Sequence, residues 1–300
     1  MTVRLGTNPI AWSNDDLESL GGETPLETCL REARAAGFEG IEMGNKFPRD
    51  AATLAPLLES HELSLVSGWY SGHLLERDAA AEFDAMGPHL ALLKAMGCEQ
   101  VIFAETSNAI HGRQDIPLSQ SPSLSPAEMK AFVGRVSAVA ERVRDAGLQL
   151  AYHHHAGTVV ETEAETDAFM EAAGNAVGLL LDTGHATLAG ADPVALARRY
   201  APRITHVHCK DLRPEVLAKV RARDLSFLDA VIAGIFTVPG DGCVDFAGVL
   251  GALRAPRYQG WLVVEAEQDP AKADPGVYAA LGHKNLARFA AEAGLAQSTA

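Results

Sequence analysis

The chain has 300 residues, 47% of them hydrophobic and 21% charged, which suits one large domain or two small ones. Its 25 Lys and Arg against 39 Asp and Glu give a formal net charge of −14, which argues against nucleic acids and membranes as partners. No apolar run approaches the roughly 20 residues of a membrane span, no signal-peptide pattern opens the sequence, and the four cysteines form no C-x-x-C pair. We therefore expect a cytoplasmic protein with reduced cysteines. The sequence does not determine its oligomeric state, and a homo-oligomer is possible.

Helical segments that end at Gly or Pro alternate with short β-rich runs along the chain. In chain order, the segments containing the predicted strands are 3–10, 35–43, 61–69, 95–103, 145–155, 172–182, 201–209 and 255–267. Helix starts are predicted at TPLE (24–27) and SPAE (125–128), because each places a capping residue, a proline and a glutamate in helix-starting order. Left-handed glycines are predicted after four helices, at Gly37, Gly97, Gly147 and Gly174.

Eight such units predict a (β/α)₈ barrel, an α/β fold of one domain over residues 1–300. An open doubly wound sheet is the alternative, but no glycine-rich phosphate-binding fingerprint follows the first strand. Two stretches exceed a minimal barrel: a loop rich in Ser, Pro and Gln at 105–124, and a helical insertion at 213–236. Long loops on the catalytic face of a barrel commonly act as lids, and we interpret both stretches in this way.

Polar residues stand where the apolar runs stop, which is where barrel enzymes place their chemistry. In chain order these residues are Asn8, Glu42, Trp69, Glu105, His153, His154, His155, Asp182, His185, His208, Lys210, Glu265 and Glu267. Imidazoles and carboxylates together form a ligand set for a divalent metal. The sequence therefore predicts a metal site at the carboxyl ends of the strands.

Two motifs of the middle of the chain supply candidate ligands. In LLLDTGH, Asp182 ends an apolar run, so its charge needs a metal, another cation or several N–H donors; we predict metal ligation. His185 follows three residues later and is interpreted as a substrate-binding or proton-transferring residue. In AYHHHAG, His153 and His155 share one side of the strand and His154 opposes them. We favour His153 as the ligand.

Two motifs nearer the C-terminus complete the predicted set. In HVHCKD, alternation puts His206, His208 and Lys210 on one side, and His208 is the predicted ligand because it is nearer the strand end than His206. Lys210 is interpreted as a cation that orients a substrate oxygen. In VVEAEQD, Glu265 is the predicted ligand, while Glu267 supports a ligand histidine or binds substrate.

Residues of the first third of the chain are interpreted as the rest of the pocket. Glu42 is either part of a rim salt bridge with Lys46 or an acid–base carboxylate. Trp12 and Trp69, both just past strand ends, are candidates for an apolar wall against a sugar-like ring.

The glycine-rich turn PGDGCVDF (239–246) has backbone N–H groups that a substrate can use, although such turns also merely connect elements.

Taken together, LLLDTGH, HVHCKD, PGDG-x-x-DF and WLVVEAE resemble the xylose-isomerase-like sugar isomerase/epimerase superfamily of metal-dependent barrels. With NPIAWSNDD, GIEMGNKFPRD, LVSGWYSG and AYHHHAGTVV, the chain more narrowly resembles the myo-inosose-2 dehydratase family of inositol catabolism over residues 3–290. The resemblance implies dehydration of a cyclic polyol ketone, 2-keto-myo-inositol (scyllo-inosose), to a trihydroxycyclohexane-1,2-dione, with Mn²⁺ or Co²⁺ and with glutathione, to which it assigns no residue.

The resemblance also implies a ligand set, because the superfamily holds its metal with Glu, Asp, His and Glu on strands 5 to 8. The last three correspond to Asp182, His208 and Glu265. His153 stands at the strand-5 position in place of Glu, so the site has one negative charge fewer than the superfamily pattern.

Dehydration next to a ketone needs a base for the α-proton, an electrophile for the enolate oxygen and an acid for the departing hydroxyl. The candidate bases are Glu42 and His155, and the candidate acids are His185 and Lys210. Asn8 and Lys46 are candidates to bind hydroxyls or the carbonyl, and Trp12 and Trp69 to shape the pocket.

Three other functions remain open at this point. A ketose epimerase or a hydroxypyruvate-type isomerase would use the same barrel, metal and enediolate chemistry. A metal-dependent DNA-repair phosphodiesterase would need more ligands and a basic groove, which the net charge of −14 disfavours. A non-catalytic polyol-binding protein is the third alternative.

Overall fold

The computed structural model describes residues 2–297, and within them eight parallel strands close into a barrel surrounded by helices. The barrel strands are β1 (Thr2–Thr7), β2 (Gly40–Met43), β3 (Ser64–Gly72), β4 (Gln100–Glu105), β5 (Gln149–His153), β6 (Val177–Asp182), β7 (Ile204–Cys209) and β8 (Gly260–Val264). The helices are α1 (Leu26–Ala36), α2 (Ala51–Ser60), α3 (Ala79–Ala95), α4 (Pro126–Asp145), α5 (Glu163–Ala172), α6 (Thr183–Leu188), α7 (Pro193–Tyr200), α8 (Pro214–Arg223), α9 (Phe227–Ile232), α10 (Phe246–Arg254) and α11 (Pro275–Glu292). The predicted (β/α)₈ barrel is confirmed.

The barrel closes through the pairing of its first and last strands. Val3 lies opposite Gly260 and Thr7 opposite Val264, so β1 and β8 pair in parallel over five residues. Every other strand pairs with its neighbour in chain order. Ala296–Gln297 forms a short strand that pairs in parallel with the N-terminal end of β1. Closure brings the carboxyl ends of all eight strands to one face.

Capping residues start and end the helices largely where the sequence predicts. Ser125 and Glu128 form the reciprocal cap of α4, with the Ser125 N–H donating to Glu128 at 2.8 Å. Gly37 ends α1 with φ = 104° in the left-handed region. The expected cap of α1 at TPLE (24–27) is wrong, because α1 begins after Pro25 and no side chain caps it. Gly174 also lacks the predicted positive φ, since α5 already ends at Ala172 and continues into extended backbone.

Large side chains fill the inside of the barrel below its catalytic face. Val66, Trp261 and Val263 form one buried group. Ile102, Ala151 and Leu180 form a second group, with Trp69 packed against it. Because these positions recur at every second residue of their strands, the residues two steps further on also point inward, at the mouth of the barrel.

Two segments cover the catalytic face, and together we call them the roof: residues 106–125, between β4 and α4, and residues 213–236, which contain α8 and α9. The roof segments are joined by hydrogen bonds from Leu118 N to Leu225 O (3.0 Å), from Ser119 Oγ to Asp224 (2.6 Å) and from Gln114 to Asp229 (2.7 Å). The covering is therefore one connected structure rather than two independent loops.

None of the helices between residues 2 and 297 combines the length and the apolar character that a membrane crossing would require.

Candidate metal centre

Strand register brings four predicted ligands to adjacent levels at the mouth of the barrel. On β6 and β7, Asp182 lies directly opposite His208. His208 also lies opposite Val263 of β8, so Glu265 is the next inward residue above that level. On the other side, His153 pairs with Leu180, one inward position below Asp182. All four side chains are buried and point into the same space.

The donor atoms of His153, Asp182, His208 and Glu265 all lie within 4.8 Å of one another. His208 Nδ1 is 3.4 Å from Asp182 Oδ2 and contacts Glu265 Oε2, and His153 Nε2 is 3.8 Å from Asp182 Oδ2. Two imidazole nitrogens and two carboxylate oxygens at this spacing are a ligand set for a divalent cation of the first transition series or zinc.

The atoms that face this space have no hydrogen-bond partners outside the cluster in the described chain. Asp182 Oδ1 accepts from the N–H groups of Gly184 and His185, both at 2.8 Å, while Asp182 Oδ2 has no partner in the described chain. His208 Nδ1 and Glu265 Oε2 contact each other but have no hydrogen-bond partner outside the cluster in the described chain. His153 Nδ1 lies 2.6 Å from the carbonyl of His154, which directs its Nε2 inward. Buried polar atoms without partners are costly, so this arrangement fits a bound cation.

Glu42 lies beneath the four-residue cluster, inside the barrel. His206 Nε2 is 2.8 Å from Glu42 Oε1, and His208 Nε2 is 3.2 Å from each carboxylate oxygen. Ser67 Oγ donates to Oε1 at 2.8 Å, and Asn8 Nδ2 donates to Oε2 at 2.7 Å. Burial alone would raise the pKa of Glu42, but His208 and His206 outweigh it and hold the pKa well below its usual value. The carboxylate is therefore ionised and surrounded by donors.

A second buried cluster adjoins the first. Lys210 Nζ lies 2.7 Å from Glu267, 3.1 Å from His185 Nε2 and 3.5 Å from Glu265. The rings of His155 and His185 are 3.8 Å apart. Burial opposes the charge of Lys210, but Glu265, Glu267 and Asp182 outweigh it and raise the lysine pKa, so this group is an ammonium.

The protonation of the neighbouring groups follows from their surroundings. Burial raises the pKa of Glu267; Lys210 opposes this and Glu265 adds to it, so that the net shift is upward. Burial is also the largest cause of the low pKa values of His155 and His185, both of which are neutral at neutral pH. The cluster thus combines neutral imidazoles with a carboxyl group that takes up a proton readily.

A cavity of about 210 Å³ opens between the clusters and solvent. Its walls include Asn8, Asp15, Asp16, Glu42, Asn45, Arg49, Trp69, Ser71, His111, His153, His155, His208, Glu265 and Glu267. His185 and Lys210 are outside this set, behind His155 and Glu267. Trp69 supplies the predicted aromatic wall, with its ring 5.5 Å from that of His153.

The structure corrects three expectations about substrate contacts. Trp12 is buried in the core, where its Nε1 donates to Glu32 at 2.7 Å, because the chain turns inward after β1. Lys46 points along the surface and donates to backbone carbonyls of Gly22 and Thr24 at 2.8 and 2.6 Å. In the PGDG turn, the N–H groups already donate to the carboxylate of Asp211, at 2.8 to 3.0 Å.

Sequence reasoning did not identify His111, which the roof brings into the cavity wall. Its ring lies 4.9 Å from that of His155, and its Nε2 lies 4.0 Å from Asp16. The only sequence signal was a histidine inside the predicted lid. Glu105, at the end of β4, instead accepts hydrogen bonds from the N–H groups of Leu74 and Ser107 and stays outside the cavity wall.

Comparisons with known proteins agree with this fold. The family model described as xylose isomerase-like TIM barrel matches residues 30–288. Among curated proteins, "Rhizopine catabolism protein MocC" of Rhizobium meliloti is 52% identical over 300 residues, 100% of this chain and 92% of that protein. "Inosose dehydratase" of Geobacillus thermodenitrificans (strain NG80-2) is 42% identical over 279 residues, 92% of this chain and 94% of that protein.

Solved structures show the same architecture at low sequence identity. The structure of L-ribulose 3-epimerase superposes with a TM-score of 0.69 at 20% identity, covering 98% of this chain and 96% of that one. IOLI protein "with a binding zinc atom" superposes with a TM-score of 0.64 at 16% identity, covering 97% and 98%. These two likenesses concern the fold, whereas the family model and the curated relatives extend over most of the sequence. The chain therefore belongs to the xylose isomerase-like TIM barrel family, alongside the curated inosose dehydratases.

Proposed function

We propose that this chain is a metal-dependent hydro-lyase that removes water from 2-keto-myo-inositol to give a trihydroxycyclohexane-1,2-dione. The observation that carries the proposal is the convergence of four buried donor groups, three of which present atoms without hydrogen-bond partners outside the cluster in the described chain. Relatives 41% to 42% identical over more than 90% of the chain are named inosose dehydratase, which supports the reaction and the substrate.

In this proposal His153, Asp182, His208 and Glu265 hold the ion, with Mn²⁺ or Co²⁺ as the ions that the family resemblance implies. When bound, a divalent ion polarises the ketone oxygen and makes the neighbouring C–H more acidic. Glutathione rests on the family resemblance alone, and we propose no residues for it.

We assign removal of the α-proton to His155, which would act as the general base. Its Nδ1 lies 2.8 Å from the carbonyl of Ala156, which places the ring proton there and leaves Nε2 as an acceptor. The low pKa keeps this ring neutral, and it lines the cavity. Glu42 is the poorer candidate, because its carboxylate oxygens already accept hydrogen bonds from four side chains.

We assign protonation of the departing hydroxyl to the carboxyl group of Glu267. Glu267 lines the cavity and has a raised pKa, as a general acid needs at neutral pH. Lys210, 2.7 Å behind it, stabilises the carboxylate that is left after the proton is given up, and His185 lies 3.1 Å from the same ammonium. Trp69 and Asn8 then contact the ring and its hydroxyls from the cavity wall.

The test follows the appearance of the ultraviolet-absorbing dione from 2-keto-myo-inositol in the presence of Mn²⁺. Asp182→Asn and Glu265→Gln each weaken the ligand set, so we expect turnover to fall by about 100-fold or more, with less metal in elemental analysis. Asp145→Asn, on the surface at the end of α4, serves as the control. Undiminished turnover in both ligand variants would refute the metal site, and a product without ultraviolet absorption would refute the dehydration.

A further inference from the structure

Beneath the metal ligands lies a carboxylate to which the proposed reaction gives no chemical step. We propose that Glu42 is a positioning residue, which holds the ring of His208 through Nε2–H and so turns Nδ1 toward the metal. This inference rests on the proposed metal site and adds to it a determinant of metal affinity on β2, on the opposite side of the barrel from the ligands.

The contacts of Glu42 support a fixed orientation rather than a mobile acid–base group. The carboxylate accepts hydrogen bonds from four side chains. Asn8 follows β1, Ser67 is on β3, and His206 and His208 are on β7. The distances to the first three are 2.7, 2.8 and 2.8 Å. A buried carboxylate with this many donors cannot rotate without leaving several of them unpaired, which is costly.

The geometry of His208 determines what this anchor does. Its Nε2 lies 3.2 Å from each oxygen of Glu42, on one edge of the ring. Its Nδ1, on the other edge, faces Asp182 and Glu265. A carboxylate can only accept a hydrogen bond, so Nε2 carries a proton toward Glu42. Nδ1, on the side of Asp182 and Glu265, is then the nitrogen that would give its lone pair to a bound metal.

The neutral amide of glutamine cannot replace this carboxylate. Asn8 donates to one oxygen, and Ser67 and His206 donate to the other, so an amide NH₂ in either position faces a donor. The negative charge that makes His208 a stronger ligand is lost as well. Partners of ligand histidines typically contribute about 10- to 100-fold to metal affinity, and we expect Glu42→Gln to weaken binding by that factor.

The experiment measures Co²⁺ binding to the chelator-treated full-length protein by competition with a chromophoric chelator. The visible absorption of the Co²⁺-loaded protein reports ligand geometry in the same samples. Glu42→Gln is expected to weaken Co²⁺ binding about 10- to 100-fold and to change the absorption bands. Glu105→Gln is the matched control, since Glu105 is also a buried carboxylate at a strand end, but its carboxylate accepts hydrogen bonds from the β3–α3 and β4–α4 loops and lies outside the cavity wall. Its affinity and spectrum are expected to match those of the unmodified protein.

A second measurement needs no variant and covers the case in which Glu42→Gln fails to fold. Nitrogen-15 NMR of histidine-labelled, Zn²⁺-loaded protein locates the ring proton of His208. A proton on Nε2, with Nδ1 bound to zinc, supports the proposal, whereas a proton on Nδ1 overturns it.

The outcomes separate this inference from the proposed function. If Glu42→Gln binds Co²⁺ as tightly as the unmodified protein and with the same spectrum, Glu42 does not position His208, yet the dehydratase proposal stands. If the unmodified protein binds neither Co²⁺ nor Zn²⁺, both proposals fail.

Discussion

His154 shows how one residue of a histidine triplet serves the fold while its neighbours serve the site. Its side chain points away from His153, and its Nε2 accepts a hydrogen bond from the backbone N–H of Asp182 at 3.2 Å. A protonated ring would place a donor against that N–H group. Burial lowers the pKa of His154 to about 4, although Asp182 opposes the shift. The residue links β5 to β6 at the level of the metal ligands.

This environment predicts an acid-dependent loss of stability. Between the ordinary histidine pKa of about 6.5 and the folded value of about 4, the unfolded chain binds a proton that the folded chain does not, so stability falls as the pH decreases through this window. The loss from His154 is about 3 kcal/mol across the window. Urea unfolding of metal-free protein between pH 7.5 and 4 measures it.

His154→Gln isolates this contribution from that of the other buried histidines. Glutamine can still accept a hydrogen bond from the Asp182 N–H but does not titrate. The free energy of unfolding of the variant should therefore decrease less steeply as the pH falls, with a slope smaller by about 1.4 kcal/mol per pH unit below pH 6. Parallel curves for the variant and the unmodified protein would show that His154 is not responsible.

At the scale of a strand, β2 must pass close to the large side chains inside the barrel. A Cβ atom on Gly40 would lie 2.6 Å from the indole of Trp261, 2.8 Å from Val66 and 2.9 Å from the backbone oxygen of Ser64. Glycine at this position thus makes room for the tryptophan that fills the lower barrel. Glu42, two residues later on the same side of β2, depends on this placement.

Gly40→Ala is accordingly expected to destabilise the protein by about 1–3 kcal/mol through overpacking. Chemical denaturation compares it with Gly134→Ala, in an exposed position of α4 where no atom lies within 4 Å of the added Cβ. There the loss of glycine's flexibility should stabilise by about 0.5–1 kcal/mol. Equal effects of the two substitutions would contradict the packing argument.

At the scale of the whole molecule, the barrel supplies the proposed metal ligands and the roof covers the second buried cluster, which contains His155, His185, Lys210 and Glu267. Phe227 of α9 is buried, lies stacked on His185 at 5.6 Å between ring centroids and contacts His155 at 5.2 Å. Phe236, at the end of the roof, lies beside Lys210, with 4.5 Å between its ring and Nζ. Excluding water from these groups strengthens the interactions among their charges.

Because Phe227 packs on His155 and His185 rather than on the proposed metal ligands, we expect Phe227→Ala to lower turnover and to leave metal affinity unchanged. The variant should lose about 3–5 kcal/mol of stability and about tenfold or more in kcat, since His155 and His185 lose a packed neighbour. Phe132→Ala, equally buried between α4 and the barrel, should lose similar stability without the drop in kcat. A tenfold weaker Co²⁺ affinity in Phe227→Ala would show that the roof also shapes the metal site.

Much of this architecture was readable from local patterns. Alternating helical and strand segments predict the barrel, and the two-residue period of a strand identifies His153, Asp182, His208 and Glu265 as neighbours at its mouth. These inferences succeed because strand direction and side-chain alternation are local properties, and the barrel places every strand end at the same face.

Only the tertiary structure decided which of the remaining polar residues meet. Glu42 and His208 are 166 positions apart, and their pairing depends on closure of the barrel rather than on any local motif. Trp12 and Lys46 stand near strand ends, yet the direction of each loop turns them away from the cavity, while the roof carries His111 into it. The sequence by itself determined the barrel and the placement of the candidate ligands at its strand ends, because both follow from backbone periodicity. Contacts across the barrel and from the roof depend on long-range packing, which no local pattern encodes.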